Sequence, residues 1–185
     1  VFSSITNTGL TSGRVVYSTT GGLETDSANL LYSGTDLTVY GVTVGRGAGA
    51  VATNTAMGAS ALAANTTGSA NTAFGQLALT TNITGTTNTA IGRAALQLTT
   101  GSDNTAVGAY ALQNNSSGTQ STAVGEDALS SNTTSGYSTA VGYRAGYYQT
   151  GGSNDAFGVN ALKGASGTST GQYNVAIGQS ALYSN

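Results

Sequence analysis

The chain of 185 residues contains no cysteine, histidine, proline or tryptophan. Without cysteine and histidine it can form no disulfide and has no thiolate nucleophile or imidazole base. It also lacks the thiolate and imidazole ligands that usually hold zinc or an iron–sulfur cluster. Chemistry would have to depend on its seven carboxylates. These absences predict a protein that is not an enzyme and that has no catalytic residue, metal site or cofactor.

Charge is also scarce, at 6% of residues, where globular proteins typically have about 25%. Five basic against seven acidic residues give a net charge of -2, so no basic surface is available for a nucleic-acid partner. No run approaches the roughly 18 apolar residues that would span a bilayer, which predicts no membrane insertion. There is no signal-peptide pattern at Val1 and no initiator methionine, so we expect a piece of a longer chain.

One motif occurs eight times between residues 50 and 185, and it ends in a short Ala-Leu arm in most copies. The copies read NTAMGASAL, NTAFGQLAL, NTAIGRAAL, NTAVGAYAL, STAVGEDAL, STAVGYRAG, NDAFGVNAL and NVAIGQSAL. Their spacings of 16, 17 or 20 residues are too short for helical-hairpin repeats, so each copy is predicted to be one small coil. The repeat glycines are Gly58, Gly75, Gly92, Gly108, Gly125, Gly142, Gly158 and Gly178.

Local propensity favours β-structure over helix in each coil. Thr-Ala-x-Gly predicts a short strand ending at a glycine bend, x-x-Ala-Leu a second short strand, and stretches such as NITG a turn. The sequence thus predicts an all-β fold: a parallel β-solenoid or β-roll of about eight coils of 16–20 residues, over residues 50–185. The bend glycine needs a positive φ or a close approach of strands, so Gly108→Val should cost more stability than Gly118→Val in the adjoining turn.

Two apolar columns run through the strands and point to opposite faces, because strand side chains alternate. One column is Ala56, Ala73, Ala90, Ala106, Ala123, Ala140, Ala156 and Ala176. The other, the apolar stripe, is Met57, Phe74, Ile91, Val107, Val124, Val141, Phe157 and Ile177. The alanines suit a narrow lumen, although the pattern does not decide which column faces inwards. The stripe is predicted to be an oligomer interface or part of the core.

Two further columns accompany them. Leucines that add a layer to the core are Leu62, Leu79, Leu96, Leu112, Leu129, Leu162 and Leu182, with Gly146 in place of one. Polar residues predicted to form hydrogen-bonded ladders between rungs are Asn54, Asn71, Asn88, Asn104, Ser121, Ser138, Asn154 and Asn174.

An apolar stripe on the outside would exceed the few hundred Å² that soluble monomers usually expose. A parallel homo-oligomer about the long axis would cover it in every repeat, and cyclic symmetry would prevent open fibres. The spacing alone allows two or three copies.

Residues 1–49 lack the Ala-Leu arm and are predicted to form a β-hairpin connector or shoulder, separate from the solenoid at 50–185. Strand-like runs at 14–18, 29–33 and 37–44 are separated by turn formers at 19–22 and 34–36. The segment 42–45, VTVG, is interpreted as a degenerate repeat that precedes the solenoid.

Two repeats depart most from the others. One contains four of the ten tyrosines and lacks its leucine; there Tyr143, Tyr147 and Tyr148 are candidates for receptor contact, because exposed aromatics can stack on sugars or dock on proteins. The alternative is that these rings fill the volume left by Gly146. The other is the 20-residue unit with the extra segment 163–172, which would project as a loop.

The NTAxGxxAL repeats resemble those of phage tail fibres and of the head domains of trimeric autotransporter adhesins. The segment GRVVYSTTGGLETDSANLLYSGTDLTV similarly resembles hairpin segments of phage tail fibres. The resemblance implies a homotrimer in the tail fibre of a virion, outside the cell. Its role would be structural and in host attachment, through a host cell-surface glycan or protein receptor, alongside other fibre or tail proteins. A bacterial surface adhesin head is the nearest alternative.

Other classes fit less well. An ice-binding solenoid is suggested by the threonine column Thr55, Thr72, Thr89, Thr105, Thr122 and Thr139, which lacks a second threonine column and breaks at Asp155 and Val175. An acyltransferase of the left-handed-helix type would need a histidine, and a polysaccharide depolymerase would need clustered carboxylates.

Overall fold

The computed structural model describes residues 14–18, 24–32, 36–165 and 169–184. Within these ranges the protein is all-β, with twelve strands forming one sheet in chain order. The only helical element there is a three-residue 3-10 turn at Ala48–Ala50. The turn formers at 19–22 and most of those at 34–36 lie outside the described residues.

The first four strands pair antiparallel with their neighbours. They are β1 (Arg14–Ser18), β2 (Glu24–Tyr32), β3 (Leu37–Val39) and β4 (Val42–Gly45). Strand β4 also pairs antiparallel with β5 (Thr55–Gly58), with Val44 opposite Met57. The interpretation of 42–45 as a degenerate repeat is therefore wrong, because a repeat of the solenoid would enter the sheet in the parallel direction.

The segment after β4 covers the open end of the first coil. Gly47 is buried, and a Cβ there would lie 2.6 Å from the Leu62 Cβ. Ala48 donates its N–H to the Leu62 carbonyl at 3.1 Å, and its own carbonyl accepts from Asn65 Nδ2 at 3.3 Å. The chain thus satisfies backbone groups that the first rung would otherwise leave unpaired.

From β5 onwards the strands stack in parallel and in register, one per repeat. The others are β6 (Thr72–Phe74), β7 (Thr89–Ile91), β8 (Thr105–Val107), β9 (Thr122–Val124), β10 (Thr139–Val141), β11 (Asp155–Phe157) and β12 (Val175–Ile177). The prediction of a parallel β-solenoid is confirmed. It makes about seven turns, because the eight strands are joined by seven complete coils.

The interior is built from small residues in the strands and leucines in the turns. All eight alanines of the strand column are buried, which answers the question of which column faces the lumen. The buried leucines are Leu62, Leu79, Leu96, Leu112, Leu129 and Leu162, as predicted, and each contributes roughly 2 kcal/mol by its burial. Leu182, in the last rung, is half exposed.

The second predicted strand, at x-x-Ala-Leu, is wrong, because this arm is a series of turns. In the rung of Gly92, Ala94 and Leu96 have φ of 56° and 49°, in the left-handed region rather than the β region. Hydrogen bonds between rungs nevertheless continue through the arm: the Leu96 N–H donates to the Ala111 carbonyl at 3.0 Å. The left-handed residues turn the chain sharply enough to close a coil of about 17 residues while leucine points inwards.

All eight repeat glycines have the predicted positive φ, and all except Gly178, in the last rung, also show the close approach of a neighbouring rung. Gly108 has φ of 135°, and a Cβ there would lie 2.6 Å from the carbonyl carbon and oxygen of Gly125 in the next rung. Gly118, where the sequence predicts a smaller cost of valine than at Gly108, does not have a positive φ, but it is also closely packed. A Cβ at Gly118 would overlap the carbonyl oxygen of Ser135 and the side-chain oxygen of Asn115, because the turns stack as closely as the strands.

The polar column forms the predicted ladder, and its partners are mainly backbone groups. Asn88 Oδ1 accepts the Asn104 N–H at 3.0 Å, while Asn88 Nδ2 donates to the Gly101 carbonyl at 2.8 Å. Equivalent acceptor bonds, with serine hydroxyls at Ser121 and Ser138, join all eight members. The ladder therefore pairs interior backbone groups that no strand can reach.

We expect Asn88→Ala to lower the free energy of unfolding by about 2–6 kcal/mol. It leaves the Asn104 N–H and the Gly101 carbonyl without a partner in the interior, at a cost of about 1–3 kcal/mol each. Asn114→Ala is the matched control, since Asn114 Nδ2 also donates to a carbonyl, that of Ser130 at 2.9 Å, but is only half-buried. Chemical denaturation of both variants is the measurement, and equal losses would contradict a structural ladder.

Candidate functional site

The apolar stripe lies on the outer face of the solenoid. In each rung the alanine of Thr-Ala-x-Gly is buried, while the residue after it is exposed or half-buried. Phe74 is 52% exposed and Ile91 is 41% exposed. Because the strands are in register, these side chains form one continuous line along the sheet.

The stripe continues beyond the repeats. Val44 of β4 stands opposite Met57, and Leu37 of β3 stands opposite Val44, so both extend the line. The threonine column lies on the same outer face, two residues before the stripe. Across these two columns Asp155 is the only charged residue from β5 to β12. The outer face is therefore a narrow, almost uncharged strip of threonine and apolar side chains.

Two further columns border this strip. The leading edge, immediately before the Asn/Ser column, consists of Thr53, Ala70, Thr87, Asp103, Gln120, Tyr137, Ser153 and Tyr173. The trailing edge, immediately after the repeat glycine, consists of Ala59, Gln76, Arg93, Ala109, Glu126, Tyr143, Val159 and Gln179. No rung carries like charges on its two edges.

A tyrosine cluster lies beside the trailing edge in the rung of Gly142. The Arg144 guanidinium carbon lies 4.9 Å from the ring centroid of Tyr143 and 5.4 Å from that of Tyr147. Tyr147 in turn meets Tyr148 edge to face, with centroids 4.5 Å apart. Two of the predicted receptor-contact residues, Tyr143 and Tyr147, thus lie against one arginine that sequence reasoning did not include, and Tyr148 joins the cluster through Tyr147.

Asp127, one rung below, holds that arginine in place. Arg144 Nε donates to Asp127 Oδ2 at 3.1 Å, and this hydrogen bond raises the pKa of Arg144 above its ordinary value. The guanidinium is therefore charged at all relevant pH values. Glu126, on the trailing edge of the same rung as Asp127, is exposed. On the other side of the cluster, the Lys163 carbonyl accepts the Tyr148 N–H at 2.8 Å. The two positive and two negative side chains in and around the cluster therefore balance.

The tyrosine rings do not occupy the space beside Gly146. A Cβ at Gly146 would lie 2.8 Å from Leu129 Cδ2, so the leucine of the preceding rung fills this volume. Tyr143 remains 39% exposed and Tyr137 66% exposed. Tyr137 stands apart from the other three, on the leading edge of the same rung.

The 20-residue unit carries a smaller contact of the same kind. Lys163 Nζ lies 2.9 Å from the Tyr183 hydroxyl and 5.0 Å from its ring centroid. Gln149 and Ser169 form a parallel bridge across the extra segment, and residues 166–168 within it lie outside the described residues.

The described part of the chain contains no cavity and no group of three His, Cys, Asp or Glu side chains that could hold a metal ion. Helices long and apolar enough to cross a membrane are also absent from this part.

Comparison with models of known protein families, with characterised proteins and with solved structures finds no match to this chain. The outer strip and the tyrosine cluster are accordingly interpreted from their own geometry and chemistry.

Proposed function

We propose that this chain is a structural and host-attachment segment of a homotrimeric phage tail fibre, located outside the cell as part of the virion. The observation that carries the proposal is the apolar stripe, which runs unbroken and in register along the outer face of the solenoid. A surface of this shape and composition is stabilised when a second copy covers it. Residues 1–49 serve as the β-hairpin connector.

Parallel packing about the long axis fits the repeat. Six of the eight rungs have the same outward Thr-x-apolar pattern, and the apolar residue is present in all eight. Rotation about an axis parallel to the rod gives each rung an identical partner at its own level. Closure of the ring also limits growth to a defined number of copies. The number three comes from the resemblance of the repeats to those of trimeric fibres.

Attachment is assigned to the tyrosine cluster. Near-identical rungs offer a uniform surface, and Tyr143, Tyr147 and Tyr148 interrupt it with aromatic rings held by Arg144. Such rings suit contact with a host cell-surface glycan or protein receptor. Other fibre or tail proteins would join the two ends of the rod.

Two alternatives have some support. A bacterial surface adhesin head would use the same trimer and the same cluster. An ice-binding solenoid is favoured by the in-register threonines Thr72, Thr89 and Thr105 on the outer face. Thermal hysteresis in a solution of the purified rod would support ice binding, and its absence would leave the fibre proposal.

Native mass spectrometry of the purified chain tests the proposal. We expect a species of three times the 18.1 kDa chain mass that survives dilution to nanomolar concentration. A monomer that retains its β-sheet circular dichroism signal would contradict it.

A further inference from the structure

We propose that the receptor site is shared between two copies of the chain: Tyr137 of one copy and the Tyr143–Arg144–Tyr147 cluster of the next together bind one neutral sugar ring. This inference rests on the proposed assembly about the long axis, but it holds for two or three copies.

Within one chain the two halves of the site are separated. Tyr137 and Tyr143 stand at opposite ends of the strand Thr139–Val141, with five residues between them. The six residue steps from Tyr137 to Tyr143, at about 3.3 Å per extended residue, give a separation of up to roughly 20 Å, several times the width of one pyranose ring.

Symmetry brings them together. A rotation about an axis parallel to the rod keeps every residue at its own rung level. When outer strips pack around such an axis, the strands run in a circle, so the trailing edge of one copy meets the leading edge of the next. Tyr143 of one copy then lies beside Tyr137 of its neighbour.

The edges are compatible with this contact. The two edges carry no like charges at any rung, and Arg93 of one copy lies one rung from Asp103 of the next. The rung of Gly142 is also the only one, among those described, with a tyrosine on both edges. Tyr137, the most exposed tyrosine of this repeat, stands apart from the cluster of its own chain, and in the assembly it becomes the second half of the binding site.

The chemistry of the shared site favours a neutral saccharide. Tyrosine rings provide apolar faces for the C–H groups of a pyranose. Arg144 and Asp127 are planar groups that can donate to and accept from sugar hydroxyls. Because Arg144 and Lys163 balance Glu126 and Asp127, the site has no net positive charge to attract an acidic sugar, so a neutral sugar is the expected ligand.

Mixed oligomers separate a shared site from a site within one chain. Tyr137→Ser and Tyr143→Ser chains, with different tags, are expressed alone and together, and oligomers containing both are purified. Binding is measured on an array of neutral and acidic oligosaccharides. The controls are Tyr137→Phe, which keeps the ring, and Tyr40→Ser, which removes a still more exposed tyrosine in the turn before β4.

We expect wild type to bind a neutral glycan and each serine variant alone to lose at least tenfold in affinity. In a mixed trimer of either composition, one of the three sites pairs an intact Tyr137 with an intact Tyr143, so about one third of the capacity should return. Both controls should bind as wild type does.

Other results would overturn the inference in distinguishable ways. Unchanged binding by Tyr137→Ser, or no recovery in mixed oligomers, rules out the shared site but leaves a fibre with a one-chain site. Binding restricted to acidic glycans, or to none on the array, rules out the neutral-sugar site. A monomeric wild type removes this inference and the proposed function together.

Discussion

Replacing Gly108 by valine is expected to lower the free energy of unfolding by about 4 kcal/mol or more, and the melting temperature by roughly 10 °C or more. Two costs add at this position. A β-branched residue is strained at φ of 135°, and its Cβ would lie 2.6 Å from the Gly125 carbonyl group. Because strands above and below are in register, the clash can be relieved only by separating two rungs.

Variants at two other glycines distinguish the cost of backbone strain from the cost of the steric clash. Gly41 and Gly178 have φ of 81° and 114°, but a Cβ at either would meet nothing within 4 Å. Gly41→Val and Gly178→Val should therefore show the conformational cost alone, about 1–3 kcal/mol. The measurement is thermal and chemical denaturation of all three variants. If Gly108→Val is no more destabilised than the two controls, close approach between rungs is not what the repeat glycine provides.

The sequence was sufficient for much of what recurs in the coils. The period predicted one small coil per repeat, with its first strand at Thr-Ala-x-Gly, and the leucine column predicted a layer of the core. Whether the alanine column or the apolar stripe faces the lumen was left open by the sequence. The Asn/Ser column predicted a ladder, although an isolated sequence does not show that Asn88 bonds mainly to the backbone of its neighbours. Each of these features depends on residue type at a fixed position, which an eightfold repetition makes visible.

The conformation of the Ala-Leu arm could not be read in the same way. Leu96 favours helix or strand by propensity, yet it has φ of 49° in the coil. The constraint is global, because the chain must return to the start of the next rung within about 17 residues while hydrogen bonds between rungs continue. Gly118 illustrates the same point, since its neighbours are residues of the next coil rather than of its own turn.

The functional surfaces, too, could be predicted from the sequence only in part. The apolar stripe is recognisable in the sequence as a column. That the leading and trailing edges border the outer strip becomes evident only from the coiled structure. The partners of Arg144 come from two rungs: Asp127 lies 17 residues earlier, and the two rings lie beside it in its own rung. A tyrosine-rich repeat therefore indicated where to look, and stacking determined which side chains meet.

Introducing aspartate into the stripe is expected to abolish assembly. In Ile91→Asp/Val107→Asp, two carboxylates per copy would enter an apolar interface whose one neighbouring cation is Arg93, on the trailing edge of the Ile91 rung, so at least one carboxylate per copy has no partner. Burial of an unpaired charge costs several kcal/mol, so the association constant should fall at least about 100-fold. Analytical ultracentrifugation should show monomers. If the rod folds only when assembled, circular dichroism should instead show an unfolded chain.

Leu98→Asp is the matched control for that variant. Leu98 belongs to the same coil as Ile91 and is exposed to the same degree, 43% against 41%, but it lies in the turn arm rather than on the outer strip. The charge it introduces should remain in water, so Leu98→Asp should assemble as wild type does. If both variants dissociate, the effect comes from added negative charge in general rather than from its place in the stripe. If neither dissociates, the stripe is not where copies of this chain meet.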